Sequence, residues 1–343
     1  MAGSRGSSLR RYAITRLALV VPMLFIVLTM VFLLMRVAPG DPISASLGGH
    51  VPPEVVNKIK DELGYDRPIL VQYKEYLGNI ARGDFGTTIT DRRSVGDIIV
   101  VNGAATLELT FYAMIVAIVV GVTFGMVAGR YRDTWIDGGG RLFGILIYAT
   151  PVFFLGLMAQ LFFGSYLGWL PTSDRASPLV DATLQTHTHI YTIDTLWNGD
   201  WNAFVDVVKH LILPAVTLGL VTAGVFIRLV RVNVIRTMKD DYIEAARARG
   251  IDERSVVYRH AFRNALVPVI TVVGLTVALL LSGAVLTETT FNWPGIGKTL
   301  ISYLENRDYP AVQGIIIVFA LVVVAVSVVI DFVNAYIDPR IRY

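Results

Sequence analysis

The chain has 343 residues, of which 54% are hydrophobic and 17% charged, with a mean hydropathy of +0.58 and a formal net charge of +3. Soluble domains carry about 25% charged residues, so this balance excludes an ordinary water-soluble globule and predicts an all-α polytopic membrane protein. The absence of cysteine excludes a disulfide, a thiol nucleophile and a thiolate metal site.

Six apolar stretches, at 17–35, 105–129, 142–169, 211–227, 265–286 and 311–337, are long enough, or nearly so, to cross roughly 30 Å of hydrocarbon with about 20 residues each. The first follows Arg5, Arg10, Arg11 and Arg16, a basic start that a signal peptide shares. Its apolar run is long for a signal sequence and no A-x-A cleavage site follows, so it is read as a retained span.

The segment 36–101 is too long and too patterned for a simple connection. Pro52-Pro53-Glu54 opens an amphipathic helix with Val55, Val56, Ile59 and Leu63 on one side, closed by Gly64. Pro68 opens a second, carrying Gln72, Tyr73, Tyr76 and Ile80 and closed by Gly83. A small external helical subdomain is therefore expected here, its polar side turned to a soluble partner. It separates the N-terminus and first span (1–35) from a five-helix core (102–337), with a short tail (338–343) beyond.

Further along, Gly121, Gly125 and Gly129 recur every four residues and mark a close-packing face for a neighbouring helix. Gly138-Gly139-Gly140 reads as a turn between spans. The fourth span is the shortest of the six, and the 169–209 connection, rich in Thr and Asp, reads as irregular. The two termini and the inter-span segments on their side together hold 18 of the 30 Lys and Arg residues, which predicts both termini on the cytoplasmic face.

The 228–264 connection is basic and helix-forming. Glu244 to Arg249 favour a helix, Gly250 can adopt the left-handed turn that closes it, and Asp252 can cap the next. The small Ala245, Ala246 and Gly250 let another protein's surface approach the backbone. On charge alone the segment would only orient the chain.

Other signals carry less. Gly295-Ile296-Gly297-Lys298-Thr299 mimics the end of a phosphate-binding loop, but Asn292 stands where the first glycine is required. His187 and His189 offer two metal ligands without a third nearby in sequence, and solvated loop histidines are the plainer reading. Glu108, Gln160, Arg228 and Asp331 lie in or near spans, where charge is costly and often functional. For Glu108 and Asp331, near span ends, snorkelling or interhelical hydrogen bonding is the simpler account. Arg228 reads as the cytoplasmic end of a span, and Gln160 as a candidate for facing a translocation cavity. No G-x-S-x-G or similar nucleophile motif is present.

Several short matches fall in order along almost the whole chain. Arg36-Val37-Ala38-Pro39-Gly40-Asp41-Pro42 is followed by Asp66-Arg67-Pro68, Gly83-Asp84-Phe85-Gly86 and Ala105-Thr106-Leu107-Glu108-Leu109. Leu213-Pro214 and Phe291-Asn292-Trp293-Pro294-Gly295-Ile296-Gly297 come later, with Glu244-Ala245-Ala246, Gly250, Asn264 and Pro268 between them. Together they resemble the first permease subunit of the dipeptide/oligopeptide/nickel class of ABC importers. The resemblance implies a type I importer fold in a prokaryotic inner membrane. It implies a second homologous permease, two ATPase subunits that bind ATP and Mg, an extracytoplasmic solute-binding protein, and no catalysis, cofactor or nucleic acid of this chain's own. It also makes 231–264 the ATPase-coupling loop, with Glu244, Ala245, Ala246, Gly250, Asn264 and Pro268 as its residues. Short peptides are the expected solute, with nickel chelates or oligosaccharides as the same architecture's alternatives. A self-sufficient channel or secondary transporter is the competing class. It would need midplane ionisable residues or an inverted repeat, and neither stands out.

Overall fold

The structure, a computed structural model, describes residues 3–37, 52–62, 64, 66–281 and 284–337. The Ala38 to Pro42 part of the first motif, Leu63, the 338–343 tail and the Asp331 side chain lie outside what is described. Among the described residues every regular element is helical.

Four helices are long and apolar enough to cross a membrane. They are α1 (Gly3–Val37), α4 (Val95–Arg130), α9 (Trp201–Thr237) and α16 (Tyr309–Ile337). Between α1 and α4 stand α2 (Pro53–Glu62) and α3 (Ile69–Ala81), the two helices the proline and glycine punctuation predicts. Gly64 and Gly83 follow them with φ of +67° and +78°, a left-handed backbone that glycine adopts without strain.

The expected third span is a bent pair, α5 (Trp135–Ala149) and α6 (Val152–Ala159), the latter continuing as π-helix over Gln160–Tyr166. The two halves meet at 99°. Pro151 is the cause: it has no N–H for the ladder and forces Thr150 out of the helical region, to φ −77° and ψ 126°. Taken as one span, the pair brings the count of membrane-crossing elements to five, and α13 (Val267–Leu281) is a shorter apolar helix.

Three expectations are corrected. The fourth span is not short: α9 runs 37 residues, because the polar residues flanking its apolar middle stay helical and Asp200 caps it, accepting from the Ala203 N–H at 2.9 Å. Gly138 to Gly140 are no turn but part of α5, and Gly140 faces Ala128 of α4 closely enough that a methyl would meet it at 3.1 Å. The 169–209 connection is irregular only in part. It holds the short helices α7 (Pro178–Thr183) and α8 (Tyr191–Trp197) and is tied to the bundle by buried polar groups.

The core is the crossing of α4 and α9. A Cβ at Gly121 would overlap Phe226, one at Gly125 would come within 2.8 Å of the Ile227 carbonyl, and one at Gly129 within 2.9 Å of Val234. The glycine repeat is thus the groove into which α9 is laid, and Phe226, Val230 and Val234 are fully or almost fully buried there. With little hydrophobic drive between helices in lipid, such close backbone approach supplies the packing. The opposite ends of this pair carry two polar constructions.

Candidate functional site

At the C-terminal end of α9 the chain turns into a compact hairpin. Helix α10 (Asp241–Ala248) ends at Gly250, whose φ is +74°. A Cβ there would meet no atom within 4 Å, so the backbone conformation and not crowding demands glycine. Asp252 caps α11 (Glu253–Ser255), accepting from the Arg254 N–H at 3.0 Å, and the chain continues through π-helical Val256–Ala261 into α12 (Phe262–Ala265). Ile243, Ala246, Val256 and Ala261 form a small core of their own beneath Met238 and Ile251.

The two arms are bridged across the glycine by Arg247, whose Nε and Nη2 donate to the two Glu253 oxygens at 3.0 and 2.8 Å. This hydrogen-bonded guanidinium holds the Glu253 carboxyl below the usual carboxylate range. Asn264 donates to the Tyr242 hydroxyl at 2.8 Å, tying the second arm to the first. The Arg130 guanidinium, at the end of α4, sits over the Tyr258 ring at 5.5 Å. The hairpin is therefore a rigid unit attached to α4, α9 and, through Leu266, to α13. Of the predicted residues, Glu244, Ala245 and Gly250 are exposed and face outward. Ala246 instead packs inward, as its helical register with Ile243 requires. Pro268 is exposed in the first turn of α13, where its missing N–H costs nothing.

The opposite end holds a buried polar cluster that sequence reasoning missed. Glu108 of α4 and Arg175 meet with side chains 0% and 3% exposed. Arg175 Nε and Nη2 both donate to Glu108 Oε2, at 2.8 and 2.6 Å. The other oxygen accepts from the N–H and hydroxyl of Thr192, each at 2.7 Å. Arg175 also donates to the His189 carbonyl and stacks over Tyr191 at 3.8 Å. Burial pushes the Tyr191 hydroxyl up to about 12. Glu108 thus neither snorkels nor bonds a neighbouring span: it pins the 169–209 connection down.

A second carboxylate lies beside it. Glu288, in α14 (Val285–Thr290), accepts from Thr106 of α4 at 2.6 Å and from the Lys298 N–H at 2.8 Å. Burial pushes its carboxyl up, and those donors only partly offset the shift. A Cβ at Gly295 would run into this carboxylate, which explains the glycine. Trp293, fully buried, donates to the Ala105 carbonyl at 2.9 Å. The amides at the start of α15 (Ile296–Glu305) are thereby used by Thr106 and Glu288, leaving the phosphate-loop mimic nothing to offer a nucleotide.

Gln160 spends both amide protons on the Thr172 and Thr290 carbonyls, at 2.7 and 2.9 Å, bracing the π-helical end of the bent pair. Arg228 is exposed on α9. His187 rests against Trp197 with ring centres 5.9 Å apart, and no group of three metal-competent side chains occurs among the described residues. The one signal for the missed cluster was an acid near the start of an apolar helix. Its cation partner lies 67 residues away, which no local pattern reveals.

The geometry defines a polytopic α-helical membrane protein with a rigid, exposed hairpin at one end of its bundle and a clamped polypeptide cap at the other. Residues 121–343 match the family described as the binding-protein-dependent transport system inner membrane component, and residues 9–110 match its N-terminal membrane component. The di/tripeptide transport system permease protein DppB of Pseudomonas aeruginosa is 40% identical over 96% of this chain and 97% of its own length. The dipeptide transport system permease protein DppB of Alkalihalophilus pseudofirmus is 38% identical over 97% of this chain and 99% of its own. The glutathione transport system permease protein GsiC of Escherichia coli K12 is 35% identical over the same shares. The chain belongs to the binding-protein-dependent transport system inner membrane component family, and is a permease component of an ABC importer in the inner membrane.

Proposed function

We propose that this permease forms half of the translocation pathway for short peptides. The relatives named above transport dipeptides, di- and tripeptides or glutathione, and nearly full-length similarity favours that class over nickel chelates or oligosaccharides. The chain works with a second homologous permease, two ATPase subunits that bind ATP and Mg, and an extracytoplasmic solute-binding protein. It hydrolyses nothing itself.

The observation that carries the reading is the hairpin. It is built around its own core, braced across Gly250, and presents Glu244 and Ala245 at the tip of a 37-residue helix. A docking element of this stiffness would convert a nucleotide-driven rigid-body motion of an ATPase into tilting of α9 and α13. We place both termini and the hairpin on the cytoplasmic face, with α13 completing six spans. The division into 1–35, an external 36–101 subdomain, a 102–337 core and a 338–343 tail follows from that topology.

The test is reconstitution of the complete transporter, with its binding protein, in proteoliposomes. Uptake of a labelled dipeptide, dependent on ATP and on the binding protein, is expected. Transport by this chain alone would favour a channel, and uptake of nickel chelates in preference to peptides would overturn the substrate class. Because the chain lacks cysteine, single cysteines report topology cleanly. One at Thr186 should react with an impermeant thiol reagent from outside and one at Arg254 should not.

A further inference from the structure

Helix α3 (Ile69–Ala81) lies against α1 at an unexpected depth. Its Tyr73 hydroxyl shares a hydrogen bond with the Thr29 hydroxyl at 2.6 Å, and its Tyr76 hydroxyl donates to the Leu28 carbonyl at 3.1 Å. Both rings pack on Phe32, with centres 5.1 and 5.2 Å away. One residue earlier, Gln72 accepts from Arg36 Nε at 2.7 Å. The helix therefore lies across α1, with Gln72 level with Arg36 and the two tyrosines reaching inward.

The apolar window of α1 supplies a ruler. It covers Ala18–Arg36, 19 residues. At 1.5 Å per residue that is roughly 28 Å, close to the hydrocarbon thickness, which sets most of the window within the bilayer. Leu28 precedes Arg36 by eight residues, or roughly 12 Å of helix. A second ruler agrees: Tyr76, Asn79 and Ile80 share a small cavity with Pro310 and Gln313, in the first turns of α16. Contact with both apolar helices at this level is what a position at the bilayer edge requires of the inner face of α3.

That face is only partly covered. At 100° per residue, Leu70 and Leu77 flank Tyr73 on the side away from Tyr76, where α1 does not reach. On that side Leu70 is 78% exposed and Leu77 partly buried. Glu75 and Asn79 stand opposite Leu70 and Leu77 on the helical wheel, exposed at the rim of that cavity, and Lys74 stands between the two sides.

We propose that α3 is an interfacial helix whose Leu70–Leu77 side is covered by the acyl chains of the bilayer, with Lys74 reaching up to lipid phosphates. The leaflet is that of the Arg36 end of α1, the outer one on the topology proposed above; only this assignment rests on that reading. The polar edge of α3 stays free for a soluble partner, but the apolar side belongs to lipid and not to the solute-binding protein.

The test uses the assembled transporter in nanodiscs, without binding protein, carrying an environment-sensitive fluorophore on a single cysteine at Leu70, Leu77, Glu75 or Asn79. Labelled complexes must keep binding-protein-stimulated ATPase activity, which controls for misfolding. At Leu70 and Leu77 a blue-shifted emission is expected, with quenching by lipid carrying a doxyl group near the headgroup about threefold stronger than at Glu75 or Asn79. Aqueous iodide should show the reverse order. Iodide quenching at all four sites without lipid quenching would overturn the proposal. So would protection of Leu70 from both quenchers, which would assign its cover to another subunit.

Discussion

The Glu108 carboxylate and the Arg175 guanidinium form a two-pronged ion pair in a site almost closed to solvent, joining α4 to the 169–209 connection. Every oxygen lone pair direction of consequence is occupied, since Thr192 donates twice to the oxygen that Arg175 leaves free. Such a pair adds little net stability over a well-packed apolar pair, but removing one partner strands a buried charge, at a cost of about 3–5 kcal/mol. Arg175→Met alone should therefore lower the melting temperature of the detergent-purified complex sharply. Glu108→Leu together with Arg175→Met should recover much of the loss. A double variant as unstable as the single one would mean that the pair does not act as a unit.

Glu288 gives a pH dependence with a definite sign. Burial raises its pKa above the ordinary 4.5 in the folded chain. The stability linked to a raised pKa is fully present below the unfolded value and is lost as pH rises through the folded one. Thermal stability should therefore fall as pH is raised from 4.5 upward. Glu288→Gln, which keeps an acceptor for Thr106 and carries no charge, should flatten that slope. Other groups titrate in both proteins, so the difference between the two melting profiles is the readout. Parallel profiles would sink the assignment.

What the sequence disclosed and what it hid divide along the range of the interactions. The glycine repeat on α4, the closures at Gly64, Gly83 and Gly250, and the cap at Asp252 were legible, because each depends on residues within a turn or two. Gly138 to Gly140 misled because three glycines suggest a turn when their neighbours are not known. Here Asp137 is held by Nε and Nη2 of Arg231, and Gly140 alone of the three admits α4 beside it. The bend at Pro151 was visible as a proline, but a span interrupted by proline is often only kinked, so its 99° angle was not. The Glu108 cluster joins α4 to the 169–209 connection and was out of reach. Gln160 was singled out for polarity inside a span, yet its amide protons bind two carbonyls and serve the packing of the bent helix.

The α4–α9 groove offers a matched pair of substitutions on one helix. A side chain at Gly125 would collide with the Ile227 carbonyl and with Val230, both on a helix that cannot yield locally. Overpacking of this kind costs about 1–3 kcal/mol or more, so Gly125→Val should reduce the yield of folded permease in the membrane. At Gly103, on the same helix but ahead of the groove, a methyl meets no atom within 4 Å. Gly103→Ala should be neutral or stabilise by about 0.5–1 kcal/mol through helix propensity. Quantitative immunoblots of membranes, with melting curves of the purified complexes, decide between the two positions. Equal losses would show that the groove does not set the packing.

The hairpin makes the most specific functional claim. Gly250 holds φ at +74° in open space, so valine there adds strain of about 1–2 kcal/mol to the loop and nothing to the bundle. Glu244 is exposed and no span residue depends on it, so Glu244→Lys reverses a charge at the tip without disturbing the core beneath. Both variants should insert at wild-type levels and keep the melting temperature of the membrane bundle. Both should lose peptide uptake, with the ATPase subunits either dissociating during purification or hydrolysing ATP without response to loaded binding protein. Glu253→Gln is the graded companion. It breaks the Arg247 bridge that braces the arms, an exposed pair worth about 0.2–1 kcal/mol, and should weaken coupling without abolishing it. Wild-type uptake by Gly250→Val and Glu244→Lys, at matched membrane levels, would remove the hairpin from the coupling pathway.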